Sequence, residues 1–316
     1  LRGESYMSIM EGGGGIAATV AATRAASEEE LAESALPYLS EMLSMGVTTC
    51  EVKSGYGLDT QTELKQLRAV ARLNRMQPIE LIPTFLGAHA VPAGEDADRY
   101  IDDCIAESLP AAAESGLAAF ADIFCEKGVF SIEQSERYLR RAADLGFRLK
   151  VHADEMYPLG GAGLAVHAGA VSADHLLRVR EEDIAALAAS ETVATVLPLT
   201  AFCLAEPYAP ARRLIDGGAA LAVGSDFNPG SCCTYDLPLS VALCCIHMHM
   251  SIEETLTALT VNGAAACARE DSVGSIEAGK QADFLVYSCS QKEFLPYRTG
   301  ANLVRRVYKK GELVYG

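Results

Sequence analysis

The feature that most constrains the fold of this chain is a regular alternation of short apolar runs with longer segments of helical spacing. The runs are rich in β-branched and apolar residues, and several are apolar along their whole length. Such runs are typical of strands in a parallel sheet that is covered by helices. Seven strands are predicted, near residues 47–53, 79–85, 120–125, 148–153, 170–174, 192–197 and 219–225.

Three of the intervening segments begin with a serine that is followed three positions later by Glu or Gln. The pairs are Ser27 with Glu30, Ser131 with Gln134, and Ser251 with Glu254. In this pattern the two side chains satisfy each other's backbone amides at a helix start. The sequence therefore predicts strands that alternate with helices.

Two parallel architectures fit such an alternation, the doubly wound open sheet and the (β/α)8 barrel. A barrel gathers all its strand ends around one mouth, whereas an open sheet concentrates its site at one switch point. Polar side chains follow nearly every predicted strand: Lys53, Tyr56, His89, Glu126, His152, Glu155, His175 and Asp226. We therefore predict an α/β fold, a TIM-like (β/α)8 barrel that lacks its first strand.

The chain changes character after residue 271. A turn-rich stretch over 274–283 precedes strand-like runs at 284–287 and 303–315, the second of which is broken at Lys310-Gly311. We predict a barrel over residues 1–271 and the C-terminal strands of a small β unit over residues 272–316.

Composition excludes several classes of partner. Lys and Arg number 26 against 42 Asp and Glu, a net charge of −16, and no basic cluster is present, so nucleic acid and anionic membranes are not expected partners. The ten cysteines are scattered and form no C-x-x-C, which favours reduced thiols in a cytoplasmic enzyme. The oligomeric state is left open, with a homodimer as one option.

The N-terminal residues show neither an initiating methionine nor a signal-peptide pattern, so we expect a chain that has been cut rather than processed. The run Gly12 to Gly15 lacks the Gly-Lys-Ser/Thr ending of a phosphate loop. A flexible connection is predicted there instead.

Candidate catalytic groups end three of the predicted strands. An imidazole and a carboxylate at neighbouring strand ends suit a divalent ion such as zinc, and His152 and Asp226 are the candidates. His175 is able to stabilise an oxyanion or guide water, and Glu155 to carry a proton to a leaving nitrogen. This set predicts hydrolysis of a carbon–nitrogen bond.

The other histidines are weaker candidates. His247 and His249 form a His-x-His pair, but the surrounding VALCCIHMHM predicts a helix, on which residues two apart point away from each other. His167 lies in a predicted helix and is expected to be structural. Asp154 is likewise expected to be structural.

The order of HADE (152–155), SADH (172–175), SDFNPG (225–230) and GSIEAGKQADFLV (274–286) resembles the amidohydrolase superfamily. Within it, KSGYGLD (53–59), TFLGAHAVP (84–92) and the stretch over 13–27 are similar to the imidazolonepropionase family of histidine degradation. The resemblance implies a metal at the mouth of the barrel and a small β-sandwich built from both chain ends.

The resemblance also implies roles for individual residues. His152 and Asp226 would bind one divalent ion, zinc or iron, with Glu155 and His175 as acid-base groups and Asp226 accepting a proton from water. The substrate implied is 4-imidazolone-5-propanoate and the product N-formimidoyl-L-glutamate. The residues expected to bind substrate or product are Tyr56, His89, Glu155, Asn228, Gly230 and Ser231.

Two elements of the family pattern are absent from the printed sequence: a His-x-His at the end of the first barrel strand and an arginine that follows it. We therefore expect this chain to retain two of four protein ligands and not to turn over substrate by itself. Two smaller departures from the family pattern, at Leu199-Thr200 and at Cys232, concern the substrate pocket. The alternatives left open are another cyclic amidase, an aminopyrimidine or purine deaminase, and an inactive barrel.

Overall fold

The computed structural model describes residues 16–316, with the side chains of 16 and 17 left aside. The predicted flexible connection at Gly12 to Gly15 lies outside the described residues. All seven predicted strands are present, with ends that differ by a few residues. They are β1 Thr49–Lys53, β2 Glu80–Ala88, β3 Phe120–Cys125, β4 Arg148–Ala153, β5 Ser172–His175, β6 Val193–Val196 and β7 Leu221–Val223.

The seven strands form one parallel sheet in which each strand pairs with its neighbours in chain order. Lys53 on β1 contacts Asp122 on β3 at 2.7 Å and Asp174 on β5 at 3.1 Å. In a flat sheet β1 and β5 would lie about 19 Å apart, since neighbouring strands are about 4.8 Å apart. The sheet is therefore curled around an interior, which confirms the barrel-type fold.

Helices pack against the sheet or against one another around it. They are α1 Ile16–Ala25, α2 Glu28–Ser44, α3 Thr60–Leu73, α4 Ala97–Asp103, α5 Leu109–Ser115, α6 Ile132–Asp144, α7 Gly161–His167, α8 Glu181–Ala188, α9 Pro198–Leu204, α10 Ala211–Gly217, α11 Leu237–Ile246, α12 Ile252–Leu259, α13 Val261–Ala266 and α14 Phe294–Tyr297, with a π-helical turn at Cys104–Ser108. All three predicted capping boxes are formed, at the starts of α2, α6 and α12. Within residues 16–316, no helix is long and apolar enough to cross a membrane.

Alternation along the strands separates an apolar outer face from a polar interior. Ile123, Val151 and Ala173 are fully buried in the main hydrophobic core. Their neighbours in the same strands, Asp122 and Asp174, contact Lys53 in the interior. Because side chains of a strand alternate between its two faces, this pattern follows directly from the sequence.

The three C-terminal strands form a separate antiparallel sheet in the order β10-β9-β8. The strands are β8 Phe284–Tyr287, β9 Val304–Lys309 and β10 Glu312–Tyr315. The sheet packs on α2, where Val307 joins a buried cluster with Leu39 and Met42. The predicted small β unit is present, and its last two strands meet at Lys310-Gly311 as expected.

Candidate active site

The strand ends singled out in the sequence meet at one mouth. His152 on β4 and His175 on β5 have ring centroids 5.2 Å apart, and His89, directly after β2, lies 5.9 Å from His152. One cavity of about 1730 Å³ is lined by all the residues predicted for the site: Tyr56, His89, His152, Glu155, His175, Asp226, Asn228, Gly230 and Ser231.

The backbone at these strand ends is unusual. Asp154, His175 and Asp226 adopt positive φ angles of 52°, 78° and 53°. Non-glycine residues rarely adopt such angles, and where they do the conformation is often held by the demands of a functional site. The three motifs that carry the predicted chemistry thus share the same strained geometry.

The imidazole of His152 is oriented by a carboxylate that the sequence reasoning missed. Its Nδ1 lies 3.1 Å from Asp122 Oδ1, and both side chains are buried. Burial opposes charge on both groups, yet Asp122 raises the pKa of His152, while His152 and Lys53 hold the pKa of Asp122 well below its usual value. With Nδ1 engaged, Nε2 is the nitrogen left for a ligand.

Lys53 is the centre of an ionic network in which it is partly buried and the carboxylates of Asp122 and Asp174 are almost completely buried. Its ammonium contacts Glu51, Asp122 and Asp174 at 2.8, 2.7 and 3.1 Å. Despite burial, these carboxylates raise the pKa of Lys53 well above its ordinary value, and the ammonium groups of Lys53 and Lys150 lower that of Asp174 to about 2. The network is therefore charged, with each ion compensated by a partner.

Asp122, His152 and Asp174 each place one potential ligand atom within 4.8 Å of the others. A metal ion among them would compete with the Lys53 ammonium, which already contacts both carboxylates. We therefore assign Asp122 to the support of His152 rather than to metal binding. The sequence signal for this network was visible, because charged residues interrupt otherwise apolar strands at alternating positions.

Glu155 and His175 form a second pair facing the cavity. His175 Nδ1 lies 3.5 Å from Glu155 Oε1 and, although buried, makes no hydrogen bond to any described residue. Burial raises the pKa of Glu155, an effect that His175 partly offsets and Asp226 reinforces. A carboxyl group with a raised pKa beside an imidazole is suited to transferring protons.

Tyr56 and His89 lie together at the cavity beside His152, with their ring centroids 5.3 Å apart in an edge-on arrangement. His89 Nδ1 lies 2.9 Å from the carbonyl oxygen of Gly55. Burial, assisted by His152, lowers the pKa of His89 to about 4, so its ring is neutral at neutral pH. Its Nε2 then has a free lone pair to offer as a hydrogen-bond acceptor.

The loop after β7 is organised around Asp226 and Asn228. Thr200, one of the departures from the family pattern, donates its hydroxyl to Asp226 Oδ2 at 2.6 Å. The Asn228 amide donates to the Asp226 carbonyl and to Ser231 Oγ, while its oxygen accepts from the amides of Gly230 and Ser231. Asn228 thus holds the turn that presents Gly230 and Ser231 to the cavity.

Two expectations about other residues are now settled. The expectation that His247 and His249 lie on a helix is wrong, because α11 ends at Ile246, and both side chains are exposed, with His247 stacked on Tyr208. Asp154 is buried and accepts hydrogen bonds from the amides of Gly160, Gly161 and Ala162 at the start of α7. It supports the chain after β4.

The residues present fit a divalent metal ion at the cavity. His152 supplies a nitrogen whose ring is oriented through Nδ1 by a carboxylate, the arrangement found around metal-binding histidines. Asp226 supplies carboxylate oxygens on the same cavity. The buried Nδ1 of His175 contacts Glu155 at 3.5 Å but makes no hydrogen bond to any described residue, so it has room for one more polar partner.

Comparison with known proteins gives concordant results. A model described as the amidohydrolase family matches residues 7–315. Imidazolonepropionase of Parabacteroides distasonis is 55% identical over 99% of this chain and 76% of its own length, and that of Clostridium tetani is 52% identical over 100% of this chain and 76% of its own.

Two solved structures share the fold at low sequence identity. An adenosine deaminase from Xanthomonas campestris with bound zinc superposes with a TM-score of 0.76 at 20% identity, over 99% of this chain and 75% of its own. A variant of atrazine chlorohydrolase from Arthrobacter aurescens, complexed with zinc and atraton, gives 0.75 at 18% identity, over 99% and 78%.

Proposed function

Because this chain belongs to the amidohydrolase family and, within it, to the imidazolonepropionases, we propose that its barrel-mouth cavity opens the ring of 4-imidazolone-5-propanoate by hydrolysis. The observation that carries the chemistry is the meeting of His152, Glu155 and His175 at one cavity. Water adds to the ring carbonyl, the carbon–nitrogen bond breaks, and the ring nitrogen takes a proton. The product is N-formimidoyl-L-glutamate.

We propose His152, through Nε2, and Asp226 as ligands of one divalent ion, zinc or iron. Such an ion lowers the pKa of water to about 7 and polarises a carbonyl oxygen. The carboxylate of Asp122 keeps the His152 ring in the orientation that leaves Nε2 available. Thr200 fixes one oxygen of Asp226 by its hydroxyl hydrogen bond.

The proton transfers are assigned to this chain's own side chains. Asp226 accepts the proton of the attacking water. Glu155, whose raised pKa favours holding a proton, delivers it to the departing ring nitrogen, and His175 stabilises the negative charge that develops on the carbonyl oxygen.

The walls of the cavity are assigned to substrate binding. Tyr56 and His89 form one wall, and the turn held by Asn228 presents Gly230 and Ser231 on another. We also propose, from the net charge of −16, that no nucleic acid or anionic membrane is a partner, and, from the scattered free cysteines, that the protein is cytoplasmic. Residues 1–271 and 272–316 are proposed as the barrel and the small β unit.

Replacing Asp122 with Asn is expected to weaken binding of zinc about 10- to 100-fold, because the partner that orients His152 is impaired. The affinity is measured by competition with a chelating dye, in the gene product that carries this sequence. Asp103→Asn, which changes an exposed carboxylate, is the control and should bind zinc as the parent does. If Asp122→Asn and Asp103→Asn bind zinc equally well, Asp122 does not orient His152 for metal binding.

The proposed activity is tested by assaying that gene product, loaded with zinc or with iron, against three substrates. Ring opening of 4-imidazolone-5-propanoate, with no ammonia released from guanine or cytosine, is the expected result. Ammonia released from a purine or pyrimidine would instead support the deaminase alternative. Metal-loaded, folded protein that turns over none of the three would support an inactive barrel.

A further inference from the structure

Glu63, a buried carboxylate on the first turn of α3, is not used by the proposed chemistry. Its residue is 1% exposed, and its two oxygens face the loop that follows β1. Oε2 accepts the amide of Gly55 at 2.7 Å, and Oε1 accepts the amides of Gly57 and Leu58 at 2.7 and 2.9 Å. One side chain thus satisfies three backbone donors of the four-residue segment Gly55–Leu58.

The loop around Tyr56 packs so closely against Glu63 that it cannot shift without losing these hydrogen bonds. Gly55 has a φ of +106°, a conformation that favours glycine. A Cβ on Gly57 would lie 2.9 Å from Glu63 Oε1 and 2.7 Å from Cβ of Thr62. The loop therefore rests directly on the Glu63 carboxylate, with no space between them for a methyl group.

The same loop determines how His89 faces the cavity. The carbonyl of Gly55 is an acceptor only, so His89 Nδ1, 2.9 Å away, carries the hydrogen of that bond. In a neutral ring the other nitrogen, Nε2, is then unprotonated. Tyr56, two residues before Leu58, lies edge-on to that ring.

We propose that Glu63 is a positioning residue for substrate recognition. It fixes the Gly55–Leu58 loop and, through the Gly55 carbonyl, holds His89 in the tautomer whose Nε2 accepts a hydrogen bond. The wall formed by Tyr56 and His89 then selects a ligand that offers an N–H or O–H donor. This inference rests on the proposed function for the identity of the ligand. The positioning of the loop and of His89 by Glu63 does not depend on it.

The test compares Glu63→Gln with Leu67→Ala in the gene product that carries this sequence. Glu63→Gln keeps the size of the side chain but turns one of its two acceptors into a donor facing an amide. Leu67 is fully buried one turn further along α3, so Leu67→Ala lowers stability without touching the loop bonds. Both variants are measured by hydrogen exchange and by 15N NMR of the imidazoles, of which the printed sequence has six.

For Glu63→Gln we expect faster exchange at the amides of Gly55, Gly57 and Leu58, and an imidazole signal from His89 that no longer shows one tautomer. We also expect KM for 4-imidazolone-5-propanoate to rise about 3- to 10-fold with kcat nearly unchanged, as for one lost hydrogen bond. Leu67→Ala should leave the His89 tautomer and KM unchanged, and it should speed exchange at these three amides no more than at other buried amides. Glu63→Asp should fall between the parent and Glu63→Gln.

Unchanged exchange at the three amides and an unchanged His89 tautomer in Glu63→Gln would overturn the inference. A rise in KM equal to that of Leu67→Ala would do the same. If Glu63→Gln does not fold, Glu63→Asp carries the comparison. Exchange and NMR need no turnover, so a failure of the proposed function would be seen separately, as absent ring opening in the parent protein.

Discussion

Glu155→Gln is expected to lower kcat for ring opening about 10²- to 10⁴-fold, the usual contribution of a positioned acid-base group. Gln has nearly the shape of Glu but cannot deliver a proton to the departing nitrogen. Glu155 is largely buried and lies 3.5 Å from His175, which fixes its carboxyl group at the cavity. KM should change much less than kcat, because the lost interaction belongs to the transition state.

The matched control is Glu206→Gln, which changes a carboxylate that lines the same cavity but is about half exposed and paired with Arg178. Steady-state kinetics of both variants are measured after confirming equal metal content. Glu206→Gln should keep kcat near that of the parent. A Glu155→Gln protein that retains a tenth or more of the parent kcat would contradict the proton-transfer role.

Lys53→Met is expected to lower the free energy of unfolding by about 3–5 kcal/mol, the usual cost of removing one partner from a buried ion pair. The ammonium contacts three carboxylates, of which Asp122 and Asp174 are almost completely buried. Met fills a similar volume but provides no charge. Asp174 would then retain the hydroxyl of Ser172 as its hydrogen-bond partner, without the direct ion pair that compensated its charge.

Urea unfolding followed by circular dichroism measures this loss. Lys292→Met is the control, since its pair with Glu253 is solvent-exposed and screened by water, so its loss should hardly change stability. The double variant Lys53→Met, Asp174→Asn should recover part of the stability. If Lys53→Met and Lys292→Met unfold at the same urea concentration, the buried network has no stabilising role.

Much of the fold was predictable because its determinants are local. The three capping boxes each join residues three positions apart, and all three helices start where the sequence predicts. The apolar runs predicted the strands, and their regular alternation with helical segments predicted a parallel sheet. The wrong expectation concerned His247 and His249, where an apolar run continued the helical pattern but α11 ended at Ile246.

The candidate site was predictable only in part. His152 and His175 were found because each ends a strand within a recognisable motif. Lys53 was noted only as a polar group that ends a strand, and Asp122 and Glu63 were not noted at all, because Asp122 and Glu63 act on residues of other elements. The contact between Lys53 and Asp174 spans 121 residues of sequence, and that between Lys53 and Asp122 spans 69.

The sequence by itself determined which segments form strands and helices, and which side chains end the strands, because those properties depend on spacing within a few residues. Only the tertiary structure decided which of those side chains touch. Curling of the sheet brings the side chain of Lys53 on β1 to β3 and β5 across a common interior, where the almost completely buried carboxylates of Asp122 and Asp174 need charged partners. As a result, the carboxylate of Asp122 orients His152, and the ammonium of Lys53 pairs with Asp122.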